Sequence, residues 1–167
     1  MEVIAFDAPN RGKYPCLSNS FLHGPLEYIL PPEFFDREPV VAHFSAKPIM
    51  LARAAFFGDE RSYDLILNAK TPRECLQLGN HVVDFDESLW EDFRSFFVYR
   101  ILLCKFSEPR MKDILVSTGD KLLAEASVDL VWGTGVVGDD VTDPNKWRGR
   151  NEMGDILMRI RAHFCSD

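Results

Sequence analysis

Twelve residues, DLVWGTGVVGDD, run from Asp129 to Asp140 and set a carboxylate three positions before an indole, Trp132, with Gly133 and Gly135 following. Glycines let a backbone approach a ligand closely and expose N–H groups. An indole is a flat surface on which a base stacks. A carboxylate beside an aromatic ring suits activation of water, or stabilisation of an oxocarbenium-like sugar. These are the parts an N-glycosidase needs. The same residue types also suit a purely structural glycine turn, so the stretch alone leaves both readings open.

Three more clusters lie outside the helical faces: PCLSNSF (Pro15 to Phe21), Trp90 with its neighbouring acids, and WRGRNEMGDILMRIR (Trp147 to Arg161). Each has a plain structural reading beside the functional one. Ser18 and Asn19 suit a turn that caps backbone groups. Trp90 sits on the apolar face of a periodic segment and suits a core. Glu125 and Asp120 suit capping or solvation, and Arg161 suits a salt bridge on the last helix.

The elements that must position these residues are mainly helical. Pro9, Gly12, Pro15, Gly24, Pro25, Pro31, Pro32 and Pro39 punctuate the first 45 residues and preclude long helices there. Only EVIAF and EYIL read as short strands in that region. From about Ala46 the texture turns helical. IMLARAAFFG stops at Gly58, and DERSYDLILNA places Tyr63, Ile66 and Leu67 at helical spacing. TPRECLQLGN opens with Thr71 as N-cap, Pro72 at the first helical position and Glu74 completing a capping box. Trp90, Phe93, Phe97, Ile101 and Cys104 recur at three- and four-residue steps, behind Asp86 as N-cap. PRMKDILVSTG gives another short helix closing at Gly119. Met153, Ile156, Ile160 and Phe164 mark a terminal helix, and a strand is expected around Leu123–Ala126. The fold class is mainly α, one domain over residues 1–167 with a few short strands.

Bulk properties narrow the function classes. The chain has 167 residues, net charge −7, and 13 phenylalanines that point to an aromatic-heavy core. No basic stripe marks a duplex binder, which leaves open one phosphate or a terminal nucleotide. No apolar run approaches the roughly 18 residues of a membrane span. The N-terminus lacks the form of a secretory signal, so reduced thiols at Cys16, Cys75, Cys104 and Cys165 and a cytoplasmic location are expected. His23, His43, His81 and His163 are scattered, and neither a metal nor a cofactor is expected.

Taken in order, CLSNSF, ARAAFFGDE, TPRECLQLGNHVVDFDESLWEDFR, KFSEPRMKDILVSTGDKLLAEASVDLVWGTG and WRGRNEMGDILMRIR resemble the NADAR superfamily of YbiA-like proteins, from about Lys13 to Phe164. The resemblance implies a mainly α-helical fold and hydrolysis of an N-glycosidic bond. It implies as substrate a phosphoribosylated pyrimidine of riboflavin synthesis or ADP-ribose attached to guanine. The expected partner is thus a nucleotide or ADP-ribose-type small molecule, or a modified base in nucleic acid, with no membrane partner.

By position, Asn19, Trp90, Asp129, Trp132 and Asn151 match residues that line the family's pocket. On this resemblance Asp129, with Glu125, is the catalytic candidate. Asn19 and Asn151 would hold ribose hydroxyls, with Ser18 and Gly133 beside them, and Trp90 or Trp132 would stack on the base. Arg53 or Lys47 would pair with a substrate phosphate.

The chain also departs from the family. Members usually carry a glutamate, expected to be catalytic, before the helix that ends in F-G-D. Here that position falls on Ala46 or Lys47, and no acid lies between Glu38 and Asp59. Asn80 stands where the family tends to have arginine. Two functions therefore stay open: a working N-glycosidase, or a protein that binds such a ligand without turning it over. The segment from Pro31 to Val41 lacks a family counterpart and is a candidate lid.

Overall fold

Polar caps and glycines cut the chain into elements close to where the sequence sets them. The computed structural model describes residues 1–8 and 12–166. Its order is β1 (Val3–Phe6), β2 (Leu26–Tyr28), β3 (Val40–Ala42), α1 (Ala46–Phe56), α2 (Glu60–Asn68), α3 (Pro72–Gly79), α4 (Glu87–Phe106), α5 (Pro109–Val116), β4 (Leu122–Glu125) and α6 (Glu152–Cys165). The class is mainly α, as the periodicity implies. Two units form: Asn19–Lys105, and Met1–Ser18 with Phe106–Asp167.

In the unit Asn19–Lys105, β2 and β3 pair antiparallel, Leu26 facing Ala42 and Tyr28 facing Val40. Helix α1 packs on α2 and α3. Gly58, at φ +68°, turns the chain out of α1, a conformation that costs glycine little. Asp59 then caps α2 by accepting from the Ser62 N–H, and its other oxygen accepts from the Val83 N–H. Thr71 and Glu74 form the expected capping box in full. A Cβ on Gly79 would lie 2.1 Å from the Met50 sulfur, so the glycine permits the close approach of α3 to α1.

Helix α4 begins where Asp86 accepts from the Leu89 N–H. Its apolar side buries Trp90, Phe97, Val98, Ile101 and Leu102. Phenylalanines from three segments meet there: Phe97 lies 5.3 Å from Phe56 and 5.1 Å from Phe34, ring centre to ring centre. The segment from Pro31 to Val41, the candidate lid, makes such contacts. Phe34 packs edge-on against Phe93 and Phe97. Arg37 pairs with Glu60 and lies over the Tyr63 ring, and Glu33 accepts from Arg100 at 2.9 Å.

In the other unit β1 and β4 pair parallel, in register from Val3↔Leu122 to Phe6↔Glu125. Glu108 caps α5 through the Met111 N–H. The helix ends at Val116, and Gly119 at φ +59° turns the chain toward β4. Helix α6 covers β4 and α5 with Met153, Ile156, Leu157 and Ile160 buried. Phe164, expected on the same buried side, is half-exposed, with the Lys112 ammonium 4.6 Å from its ring centre. Among the described residues Arg161 makes no salt bridge, where one was expected. Its guanidinium donates to the Thr118 hydroxyl at 2.7 Å and the Lys121 carbonyl at 2.9 Å, tying α6 to the turn before β4.

Candidate functional site

Strand β4 delivers Glu125 to the start of a loop that carries Ser127, Asp129, Trp132 and Gly133. The loop is built by its own polar groups. One oxygen of Asp129 accepts from the backbone N–H groups of Val131 and Trp132, at 2.7 and 2.8 Å. A Cβ on Gly133 would fall 2.1 Å from the Ser127 hydroxyl, so a larger residue there would have to displace that side chain. Thr134 donates both its N–H and its hydroxyl to the Glu125 carbonyl, at 2.9 and 3.1 Å.

The start of α6 fastens this loop. The first N–H groups of a helix lack partners inside it and need them elsewhere. Here the N–H groups of Arg150, Asn151, Glu152 and Met153 donate to the carbonyls of Leu130, Gly133, Val131 and Trp132, at 2.9 to 3.1 Å. Asn151 adds its side chain: its amide oxygen accepts from the Glu125 N–H and its amide nitrogen donates to the Leu123 carbonyl, each at 2.9 Å.

Glu125 is the electrostatic centre of the arrangement. Burial, and secondarily the negative charge of Asp129, push its carboxyl up to about 7. Among the described residues no hydrogen bond reaches that carboxyl. It therefore exchanges a proton near neutral pH, the property of a group that moves a proton in a reaction. Ser127 contributes a buried hydroxyl with no hydrogen-bond partner among the described residues. Sequence reasoning passed over it, since a serine between Ala126 and Val128 carries no signal. Thr134, between two glycines, reads from sequence as an ordinary turn residue.

Several residues expected to contact a ligand are also engaged within the fold. Asn151 is 2% exposed, and both ends of its amide are engaged by β4, where a ribose contact was expected. Lys47, expected at a substrate phosphate, donates to the carbonyls of Leu67 and Ala69, at 3.0 and 2.7 Å, and so closes the C-terminal end of α2. Trp90, expected as a stacking plate, is 4% exposed and lies among Phe56, Phe57 and Phe97. Ser18 is buried at the end of a single helical turn, its N–H on the Pro15 carbonyl.

In the unit Asn19–Lys105, Asn19 accepts through its side-chain oxygen from the Ser45 hydroxyl at 2.9 Å, and through its carbonyl from the Ala46 N–H. Ala46, where the resemblance sets a glutamate, is buried in the first turn of α1. Lys105 is wholly buried and donates to the same Ser45 hydroxyl at 3.4 Å. Arg94, 2% exposed, pairs with Glu87 and Glu91. Periodicity cannot reveal such buried cations, because it ranks both as surface residues. Arg53 lies 3.8 Å over the Phe85 ring, and its Nε is buried with no hydrogen-bond partner among the described residues. Burial holds its guanidinium below the usual arginine range.

The model of the NADAR domain matches residues 5–165. The chain belongs to the NADAR family. It is similar to an N-glycosidase of Acanthamoeba polyphaga mimivirus, 31% identical over 134 residues that span 77% of this chain and 79% of that protein. It is also 33% identical, over 72% of its length, to a chloroplastic riboflavin biosynthesis protein of Arabidopsis thaliana, of which the match spans only 20%. The NMR structure of the Escherichia coli protein YbiA superposes with a TM-score of 0.71 at 20% identity, over 99% of this chain and 86% of that one, a likeness of fold. As a NADAR protein with this fold, the chain has the architecture its sequence implies. Among the described residues no group of three or more His, Cys, Asp or Glu is placed to hold a metal ion. No helix among them is long and apolar enough to cross a membrane.

Proposed function

We propose that this NADAR protein hydrolyses the N-glycosidic bond of a ribosylated nucleotide-type substrate, with Glu125 and Asp129 as its catalytic pair. The observation that carries the reading is the Glu125 carboxyl, which burial and the Asp129 charge push up to about 7 beside a glycine-walled loop. In this mechanism protonated Glu125 gives its proton to the departing base as the C1′–N bond breaks. The carboxylate of Asp129 stabilises positive charge on the sugar, as carboxylates do in glycoside hydrolysis. Water adds to C1′ and returns its surplus proton to Glu125, so the products are free base and a sugar with a new hydroxyl.

The similarity to a protein named an N-glycosidase supports the reaction class. The similarity to a riboflavin biosynthesis protein supports a phosphoribosylated pyrimidine, with ADP-ribosylated guanine as the second substrate class. The test is base release, followed by chromatography, from a phosphoribosylated pyrimidine, from ADP-ribosyl-guanine DNA and from NAD. The expected result is turnover of at least one, a fall in rate as pH rises above about 7, and a loss of about 100- to 10,000-fold in Glu125→Gln. No product from any of the three, or unchanged turnover in Glu125→Gln, refutes the mechanism.

One observation favours a second reading. Ala46 or Lys47 stands where a glutamate was expected, and the Lys47 ammonium is engaged by the end of α2. A protein that only binds would be stabilised by such a ligand, by about 2.7 kcal/mol at 100 times its Kd, and would release no base.

A further inference from the structure

We propose that Asn151 is a positioning residue, fixing the end of β4 and the Asp129 loop in one frame so that the Glu125 carboxyl keeps its place beside that loop. The inference rests on the proposed role of Glu125, and it gives Asn151 a task other than touching substrate.

Three demands meet at this residue. Its backbone is left-handed, at φ +52° and ψ +39°, a region asparagine tolerates better than most side chains. Its own N–H donates to the Gly133 carbonyl at 2.9 Å, which holds the loop. Its side chain must accept from one strand residue and donate to the next but one. The Glu125 N–H can only donate and the Leu123 carbonyl can only accept, so the orientation of the amide is fixed by chemistry. Aspartate lacks the donor, glycine lacks both groups, and glutamine is one methylene too long for the same place.

The surroundings are shaped to this amide. Gly154 stands one turn into α6, and a Cβ there would come within 2.1 Å of the Leu123 carbonyl oxygen and 2.3 Å of the Asn151 amide nitrogen. The glycine therefore keeps open the space in which the amide meets the strand. On its other side the Glu125 main chain is held by Thr134, through the Glu125 carbonyl. The residue whose carboxyl is perturbed is thus gripped at its N–H by Asn151 and at its C=O by Thr134. The charged residues at and just before the start of α6 are Arg150, Glu152 and Asp155, and Asp129 is the charge that acts on Glu125 from the loop.

The test uses the full chain with Asn151→Gly, which removes the amide and tolerates the left-handed backbone, and Asn151→Asp, which keeps the acceptor for the Glu125 N–H. Glu125 is followed by carbon-detected NMR titration of its carboxyl and by hydrogen exchange of its N–H. Steady-state hydrolysis of a phosphoribosylated pyrimidine gives kcat and KM. In Asn151→Gly we expect at least about a tenfold loss of kcat with KM within about threefold. Its Glu125 titration should move down toward 4.5 as water reaches the loosened carboxyl, and its Glu125 N–H should exchange faster. Asn151→Asp should keep that N–H protected and recover part of kcat.

A raised KM with unchanged kcat in either variant would make Asn151 a ligand contact and overturn the proposal. So would a folded Asn151→Gly in which Glu125 titrates as in the parent protein. If Asn151→Gly does not fold, Asn151→Asp decides: rapid exchange of its Glu125 N–H overturns the proposal. If the parent protein releases no base, the glycosidase reading fails, while titration and exchange still decide whether Asn151 positions Glu125.

Discussion

Replacing Glu125 by glutamine should make the protein more stable at neutral pH, and the size of the gain follows from the site. The ordinary glutamate value of 4.5 and the value of about 7 in the folded chain differ by 7 − 4.5, roughly 2.5 pH units. At about 1.36 kcal/mol per unit, holding this carboxyl ionised in the fold costs roughly 3 kcal/mol. The sign is set by which state binds the proton. Because the folded value is the higher one, the native state holds more protons between pH 4.5 and 7. Stability contributed by this group is therefore lost as pH rises through that window. Glutamine keeps the shape and carries no charge at any pH.

The difference between variant and parent should then be near zero below about pH 4.5 and reach roughly 3 kcal/mol above pH 7. In a chain of this length that is a gain of about 6–12 °C in Tm. Thermal unfolding of both proteins from pH 4 to 8.5 measures it, and titrating groups not coupled to Glu125 cancel in the difference. A gap that stays flat with pH refutes the perturbed carboxyl, and with it the physical basis of the proposed mechanism.

Two contrasts test other parts of the frame. Gly154→Ala drives a methyl into the Leu123 carbonyl and should cost about 1–3 kcal/mol, whereas Gly79→Ala meets the flexible Met50 side chain and should stay within about 1 kcal/mol of the parent, as urea unfolding of both will show. Lys47→Met removes two hydrogen bonds from the end of α2 and should cost about 1 kcal/mol in the same assay while leaving KM unchanged; a several-fold rise in KM would return Lys47 to the substrate.

Local signals set most of the fold's boundaries. Thr71, Pro72 and Glu74 specify a helix start through contacts within four residues, and the structure reproduces all of them. Asp59 and Asp86 act as caps over the same short range. What the sequence does not display is the use of a polar group by something distant along the chain. Lys47 reads as a cation awaiting an anion until the end of α2 arrives some twenty residues later. Lys105 reads as a solvated residue on a long helix, yet it is wholly buried and donates to Ser45. Pairing β4 with β1 likewise depends on contacts more than a hundred residues apart in the chain.

That same use of polar groups sharpens the choice among the site candidates. A residue whose donors and acceptors are already engaged by backbone must break those bonds to hold a ligand, at a cost of about 1–3 kcal/mol for each group left buried and unpaired. Asn151 is in that position, Lys47 has two of its three N–H donors engaged, and one oxygen of Asp129 is engaged in building its loop. The Glu125 carboxyl is not: the fold grips its main chain from both sides and leaves its side chain without a hydrogen bond among the described residues. A fold that left such a carboxyl idle would keep a penalty of roughly 3 kcal/mol at neutral pH for nothing. Using it to carry a proton gives that penalty a function, which is the ground on which we propose Glu125 with Asp129 for the chemistry and Asn151 for holding Glu125 in place.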